Sequence, residues 1–544
     1  MKKLFLSLAI ICSLTTALFA QQGLQKVRID DFSGGMNSRS VVNKLEPNVA
    51  ASVVNVDISR PGELSTRKGE SLFVRDVGST FFRGLGRFDP DMATSYLVAA
   101  SRASVISALS TDTQWRIENS SKDLTEGQDT QFVQADKVLF VLNGQDNTSW
   151  WDGTVYNAGG TYPTSPPKAK YGAWLKNYLF LAGEPTQLDW VYFSNNLVPT
   201  VFSATDIIKI NTGDGQAIQW LEPFRIDEVI VYKERSVFLL DTTSTSDPLD
   251  ADSGWTVQPI SKTIGLIAPR SVVNIGNDHW FLSSNPIAVR SLARSEFDKI
   301  LVDRVSDPIQ DVFDGTGSLV INQSKIQKAA AILFDNKYII AIPTGTSAVN
   351  NTVFVFDFLI NGWYRIDGWY PTNWLIFDER LFFTDANDGR VMEAFANNTG
   401  DFVIGPSNIN SANPDQPICF EYLSREIDFT NQEGVGPENF KMPDAIEVEF
   451  EPTGNYDAIV YVNVDQNGWA SVGSVNLAGN SLTLPVTLPA TIGNGGVSRK
   501  TFQIQSKNEF RRIQIRIRQC GLSQQVKFRR ATIFARPKKW RREN

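Results

Sequence analysis

At 544 residues the chain exceeds one ordinary hydrophobic core, so two or three domains are expected, and 42% hydrophobic residues supply enough apolar surface to fill them. Three cysteines and one histidine exclude a disulfide scaffold and a zinc site of spaced Cys and His ligands. The formal charge of −7 is uneven: residues 507–544 hold thirteen basic and two acidic residues, +11, which leaves −18 on residues 1–506 and makes basicity a local property.

Residues 1–20 have the form of a secretory signal, with Lys2 and Lys3, an apolar run from Leu4 to Leu18, and Ala20 before a polar segment. Residues 21–71 read as an N-terminal arm dense in turn chemistry: Asp31, Phe32, Ser33, Gly34 and Gly35, then Asn55, Asp57, Pro61-Gly62, Arg67 and Gly69. Within it, Glu46-Pro47-Asn48 is expected to open a short helix across Val49, Val53 and Val54.

From residue 72 to 400, pairs of apolar alternating runs flank two-residue polar turns at Asp136-Lys137, Lys176-Asn177, Lys233-Glu234, Asn277-Asp278, Asp335-Asn336 and Asp378-Glu379. Hairpins repeating at blade-sized intervals predict a β-propeller of six to eight blades. Residues 401–416, rich in Gly, Pro and Asn, read as a linker, and residues 417–537 as a β-sandwich. There Ile513, Ile515 and Ile517 point one way while Arg512, Gln514, Arg516 and Arg518 point the other, the alternation of a strand covering a core. Residues 538–544 form a basic tail. Cys419 and Cys520 can pair in an exported protein or be buried as thiols in a cytoplasmic one.

Catalytic signatures are sparse, and no enzyme, cofactor or metal is expected. His279 is the one histidine, and no Gly-x-Ser-x-Gly elbow accompanies it. Glu184 and Asp189 illustrate a carboxylate pair of the glycosidase kind, but strand-end acids of this sort are common in such a composition. Asn143, Asp146 and Asp152 sit in a loop without the regular ligand spacing of a calcium site, so a turn is expected. The tryptophans are expected to pack between blades, not to stack on sugars or bases.

The order DFSGGMN, EPN, NVDISRPGELSTRKG resembles the opening of the tail nozzle proteins of short-tailed bacteriophages, also called tail tubular protein B, and of the related packaged-DNA stabilisation proteins. The similarity continues through Gly213, Asp214, Gly215, Lys233, Glu234 and Arg235, then Asp357 and Trp363, to the last strand series, covering most of Arg28 to about Lys538. It implies a structural virion protein: a ring, six copies in the family, assembled in the host cytoplasm. The ring would lie below a tail adaptor at the portal, carry fibres or spikes, and pass double-stranded DNA without sequence specificity. Arg512, Arg516, Arg518, Arg529 and Arg530 are then expected to face an acidic neighbouring subunit or the DNA channel. An exported propeller adhesin or glycan-binding protein is the alternative, with a glycan depolymerase behind it.

Overall fold

The computed structural model describes residues 23–538 apart from 59, 74–81, 113, 120–123, 245–247, 251–253, 277, 295–299, 387–388, 402–415, 431–436, 479–496 and 505–508. The signal-like residues 1–20, most of the linker, the SLTLPVTLP segment and the basic tail beyond Lys538 lie outside the described residues.

Seven four-stranded antiparallel units follow one another and make a β-propeller. Their innermost strands are Phe82–Phe88, Gln131–Ala135, Tyr171–Leu175, Ile218–Arg225, Val273–Asn274, Ala330–Phe334 and Pro371–Phe377. Each lies against the next, and the seventh returns to the first, so the ring closes. Closure uses the N-terminal segment: Ser71–Leu72 is the outer strand of blade seven, Leu72 opposite Met392 and Ser71 opposite Glu393. The propeller therefore begins one residue earlier than expected, and its two chain ends are held in one sheet.

The hairpin turns explain why so punctuated a sequence folds this way. Lys176, Asn177, Asp335, Asn336, Asp378 and Glu379 all have positive φ, the backbone that two-residue turns between twisted strands require. Two expected turns move by one position. Lys233 ends its strand and the bend falls on Glu234 and Arg235, because Lys233 N–H donates to Ser236 O at 2.9 Å. Asp278 heads a strand, and the bend begins at Gly276, whose φ is +70°. Aromatic side chains fill the wedges between blades, as expected: Trp151 meets Phe88 and Tyr96, Trp255 meets Phe180 and Phe193, and Trp280 meets Tyr338 and Phe356.

Residues 23–70 are no free arm. Gln25–Ile29 and Leu64–Thr66 both pair with Lys527–Pro537, in a six-stranded sheet with Lys441–Phe450 and Ser498–Gln503. Ser52–Val54 lies between the outer strand of blade six, Gly362–Asp367, and Phe420–Leu423, so blade six and the second sandwich sheet form one nine-stranded sheet. This overturns the expected helix. Val53 and Val54 are buried, and β-branched residues flanked by strands on both sides gain more from the ladder than from a lone helical turn. Among the described residues of this segment the helical geometry is the short 3-10 turn Val42–Lys44. Ile513, Ile515 and Ile517 are fully buried, as the alternation predicts, in one core with Phe450, Phe528 and Ile533.

Candidate functional site

The N-terminal motif is assembled at the joint between propeller and sandwich. Arg67 is 1% exposed, and all five of its guanidinium donors are engaged. Its terminal nitrogens hold the two carboxylate oxygens of Asp401 at 3.0 and 2.5 Å and the carbonyls of Lys68 and Asp367 at 3.0 Å, while Nε donates to Asn55 Oδ1 at 3.0 Å. The guanidinium lies 4.4 Å from the ring centre of Trp369, whose Nε1–H donates to Asp401 Oδ1 at 3.1 Å. Asn55 completes the node: Oδ1 also accepts from Asp367 N, and Nδ2 donates to Cys419 O. One buried ion pair thus ties the N-terminal segment, blades six and seven and the first sandwich strand together.

The other motif residues have local reasons. Asp31 Oδ1 accepts from Ser33 N at 2.9 Å and fixes the turn before the glycines. Gly35 has φ +59°, and a Cβ there would lie 2.6 Å from Trp363 O. Gly34 N–H donates to Asn48 O, and Met36 N–H to Trp363 O at 2.7 Å. Phe32 packs between Tyr422 and Phe528, and Trp363 is wholly buried with Nε1–H on Val305 O. Gly62 sits at φ +78° in the turn between Val56–Asp57 and Leu64–Thr66, where Asp57 stands opposite Ser65. At Gly69 a Cβ would come 1.9 Å from Gly400 O. Asp357, 1% exposed, accepts from Leu359 N and lies 3.7 Å from Lys337 Nζ.

The blade-four motif makes a second node. Lys233 is fully buried and donates to Ile210 O at 3.1 Å and Asp214 Oδ1 at 2.7 Å. Burial works to raise the Asp214 carboxyl, but the hydrogen bonds from Lys233, Gln216 N and Asn211 hold it below the usual carboxylate range. Gly213 and Gly215, at φ +86° and +69°, bracket that aspartate, and the exposed Glu234 and Arg235 project from the tip the pair supports.

The basic strip is largely neutralised within the protomer. Arg516 pairs with Glu421 at 2.5 Å, Arg512 with Glu426 at 3.7 Å, Arg530 with Glu449 at 2.6 Å, and Arg529 with both Glu63 and Glu451. The Lys527 hydrogen bond is the main cause that holds Glu451 below the ordinary carboxylate range, and Arg529 adds to it against burial. Arg518 is exposed and has no ion pair among the described residues. Cys419 and Cys520 are joined as a disulfide, placed side by side by the register that sets Phe420 opposite Gln519.

Sequence reasoning gave no sign of Arg270. It leaves the connection between blades four and five, donates to Arg83 O in blade one at 2.9 Å and Thr372 O in blade seven at 3.4 Å, and lies 3.6 Å from Asp129. One side chain thus bridges blades across the propeller axis. Nor was the role of Glu222 legible: burial lifts its carboxyl to about 7 against a 2.9 Å hydrogen bond from Trp220 Nε1.

His279 is fully buried, with Nδ1 3.0 Å from the Tyr232 hydroxyl and Nε2 3.0 Å from Pro223 O. These partners assign the neutral ring with its proton on Nε2, and burial pushes its pKa down to about 4, so it serves the contact between blades four and five. Asp146 accepts from Thr125 and Asn143, and Asp152 from Thr154 and Val155, so both carboxylates close turns on protein donors. Glu184 accepts from Thr186 within its own hairpin turn. Among the described residues no group of three or more His, Cys, Asp or Glu side chains is placed to hold a metal.

No family model matches the chain, and no curated protein matches it. Solved structures similar to it include the computationally designed Ika8 protein, at 10% identity over 60% of this chain and 100% of that one with a TM-score of 0.35. The WD40 domain of Neurospora crassa Pan2 matches at 9% identity over 61% and 95% with a TM-score of 0.35, and YCF48 bound to D1 peptide at 11% over 63% and 99% with the same score. Likeness at this level says nothing of function, and the fold assignment rests on the chain's own sheets.

Proposed function

We propose that this protein is a structural component of a short-tailed phage particle, a nozzle protomer that assembles into a ring, holds packaged DNA and lets it pass at ejection. The observation that carries the reading is the use made of residues 28–69, whose order resembles the nozzle opening. They form the buried joint around Arg67 that fixes a propeller to a sandwich as one body, the rigidity a protomer in a pressurised ring requires. The strip of Arg512, Arg516, Arg529 and Arg530 then presents paired, half-exposed charge to a neighbouring subunit or to passing DNA. Contact of that kind is weak and sequence-blind, which suits a conduit. Because Arg270 bridges the propeller axis, any channel runs between protomers and not through one.

A second reading, an exported binding protein, has one observation in its favour: the Cys419–Cys520 disulfide, a bond uncommon in cytosolic proteins, on a chain that opens with a signal-like segment. Electron microscopy with mass determination on the purified protein, with and without its candidate portal–adaptor complex, separates the two. A closed ring capping the adaptor supports the nozzle. A stable monomer that ignores the adaptor, with a mature N-terminus at Gln21, sinks it.

A further inference from the structure

Blade five carries a buried arginine without a counter-ion. Arg290, in the strand Ile287–Arg294, is 9% exposed. Its Nε–H donates to Ser283 Oγ at 3.0 Å, and among the described residues its two terminal nitrogens have neither a hydrogen-bond acceptor nor an ion pair. Directly opposite it, on the outer strand Ile300–Arg304, stands a second arginine, Arg304. Like charges facing each other across a ladder destabilise it, and a charge withdrawn from water without a partner costs more. Burial, and after it the Arg304 charge, push the Arg290 guanidinium below its ordinary pKa, against the pull of Asp303 and Asp307.

The two arginines are held in place before anything binds. Ser283 is fully buried, and its hydroxyl donates to Pro286 O at 2.7 Å, which leaves a lone pair turned to Arg290. Along the same strand the buried Ser306 Oγ accepts from Val289 N at 3.1 Å, and Gln310 Nε2 donates to Ile287 O at 2.9 Å. Arg304 Nε is engaged by Asp307 at 2.5 Å, and Arg39 holds the same carboxylate at 2.9 Å. A site on such a frame loses little conformational entropy when it is filled.

We infer that Arg290 and Arg304 form a receptor for a single carboxylate group, carried by a small organic acid or by an acidic side chain of another protein. Fork, charge and access select the group. With Nε engaged, the end of Arg290 offers two parallel N–H donors, which fit the two oxygens of a carboxylate. Arg39, Arg290 and Arg304, three positive charges, stand against the two negative charges of Asp303 and Asp307, and the one left over is balanced by a monoanion and overshot by a phosphate dianion. The exposed remnant of Arg290 is small, which suits a terminal group on a slender stem, whereas a phosphodiester is flanked by substituents on both sides. The inference does not rest on the tail role and holds for an exported protein equally.

Thermal unfolding of the full chain tests it, with acetate, propionate and an end-blocked glutamate peptide compared with chloride at equal ionic strength, and with phosphate and a dinucleotide phosphodiester as other anions. At least one carboxylate is expected to raise the midpoint above that in chloride. Its apparent affinity should weaken about tenfold or more in Arg290→Lys, which keeps the charge and loses the fork, and should also fall in the half-exposed Arg304→Gln. Arg290→Met should melt above the wild type in chloride, because an unpaired buried charge is gone, and should no longer respond to carboxylates. A stronger response to the peptide identifies an acidic protein partner, and a stronger response to the free acids a small ligand; both uphold the receptor. No carboxylate response beyond chloride, a larger response to phosphate or the phosphodiester, affinity unchanged in both Arg290→Lys and Arg304→Gln, or an Arg290→Met midpoint below the wild type overturns it.

Discussion

Arg67 and Arg530 each hold a carboxylate of the same chain at hydrogen-bond distance, yet they do different work. Arg67 and Asp401 have side chains 1% and 3% exposed, with every donor of the arginine used and an indole against it. Arg530 and Glu449, at 23% and 12%, lie on the outer face of a sandwich sheet where water and salt reach them. A dehydrated pair locks its neighbours, because losing either partner strands a charge in low dielectric; a half-exposed pair gives little and leaves its charge open to exchange with another molecule. In this protein the first kind joins the domains and the second lines a surface.

Breaking the lock has the largest expected effect. Arg67→Met strands Asp401 and opens the joint, and a loss of about 3–5 kcal/mol in denaturant unfolding is expected. A change within about 1 kcal/mol would mean that the pair is solvated in solution and the contrast is false. Gly69→Ala attacks the same joint sterically, since its Cβ meets Gly400 O, and is expected to cost about 1–3 kcal/mol by the same measurement.

The interface of blades four and five supplies an intermediate case. Glu222 has its folded pKa raised by burial to about 7, so between its unfolded value of 4.5 and 7 the native state holds the extra proton, and stability falls as pH rises through that window. His279, pushed down to about 4 from 6.5, acts oppositely: the unfolded state holds the extra proton, and stability rises with pH between 4 and 6.5. The two slopes oppose each other where they overlap. Glu222→Gln is therefore expected to stabilise the protein on the order of 1–2 kcal/mol at pH 8 and not at pH 4, read from thermal unfolding across pH. Equal effects at both pH values would remove the assignment.

The smallest effect sharpens the comparison from the surface side. Arg530→Ala should change the stability of the isolated protein by less than about 1 kcal/mol, and less still at high salt. If the strip meets a neighbouring subunit or DNA, the same substitution weakens ring assembly or infectivity by far more than it weakens the fold. If assembly, infectivity and stability are all unchanged in the combined variant of Arg512, Arg516, Arg518, Arg529 and Arg530, the strip has no partner.

Much of the architecture was legible in sequence because it is local. Period-two alternation buried Ile513, Ile515 and Ile517, and turn pairs such as Lys176-Asn177 and Asp335-Asn336 require a backbone that few residues tolerate. The misreadings fall where distant chain decides. Val53 and Val54 look as helical as extended until strands from blade six and from the sandwich arrive on either side. The same holds for the site. Arg67 and Gly69 stood out as residues, but their partners Asp401 and Gly400 did not, and Arg270 gave no local signal.

The sequence by itself determined the all-β class, the hairpin repeat, the following sandwich and the uneven charge, since each depends on neighbours a few positions apart. Tertiary structure alone decided that seven blades close through Ser71–Leu72, that the N-terminal segment is a joint, and that most of the basic strip is paired within the chain. Ring closure and ion pairing depend on contacts between residues tens to hundreds of positions apart. No local pattern encodes those distances.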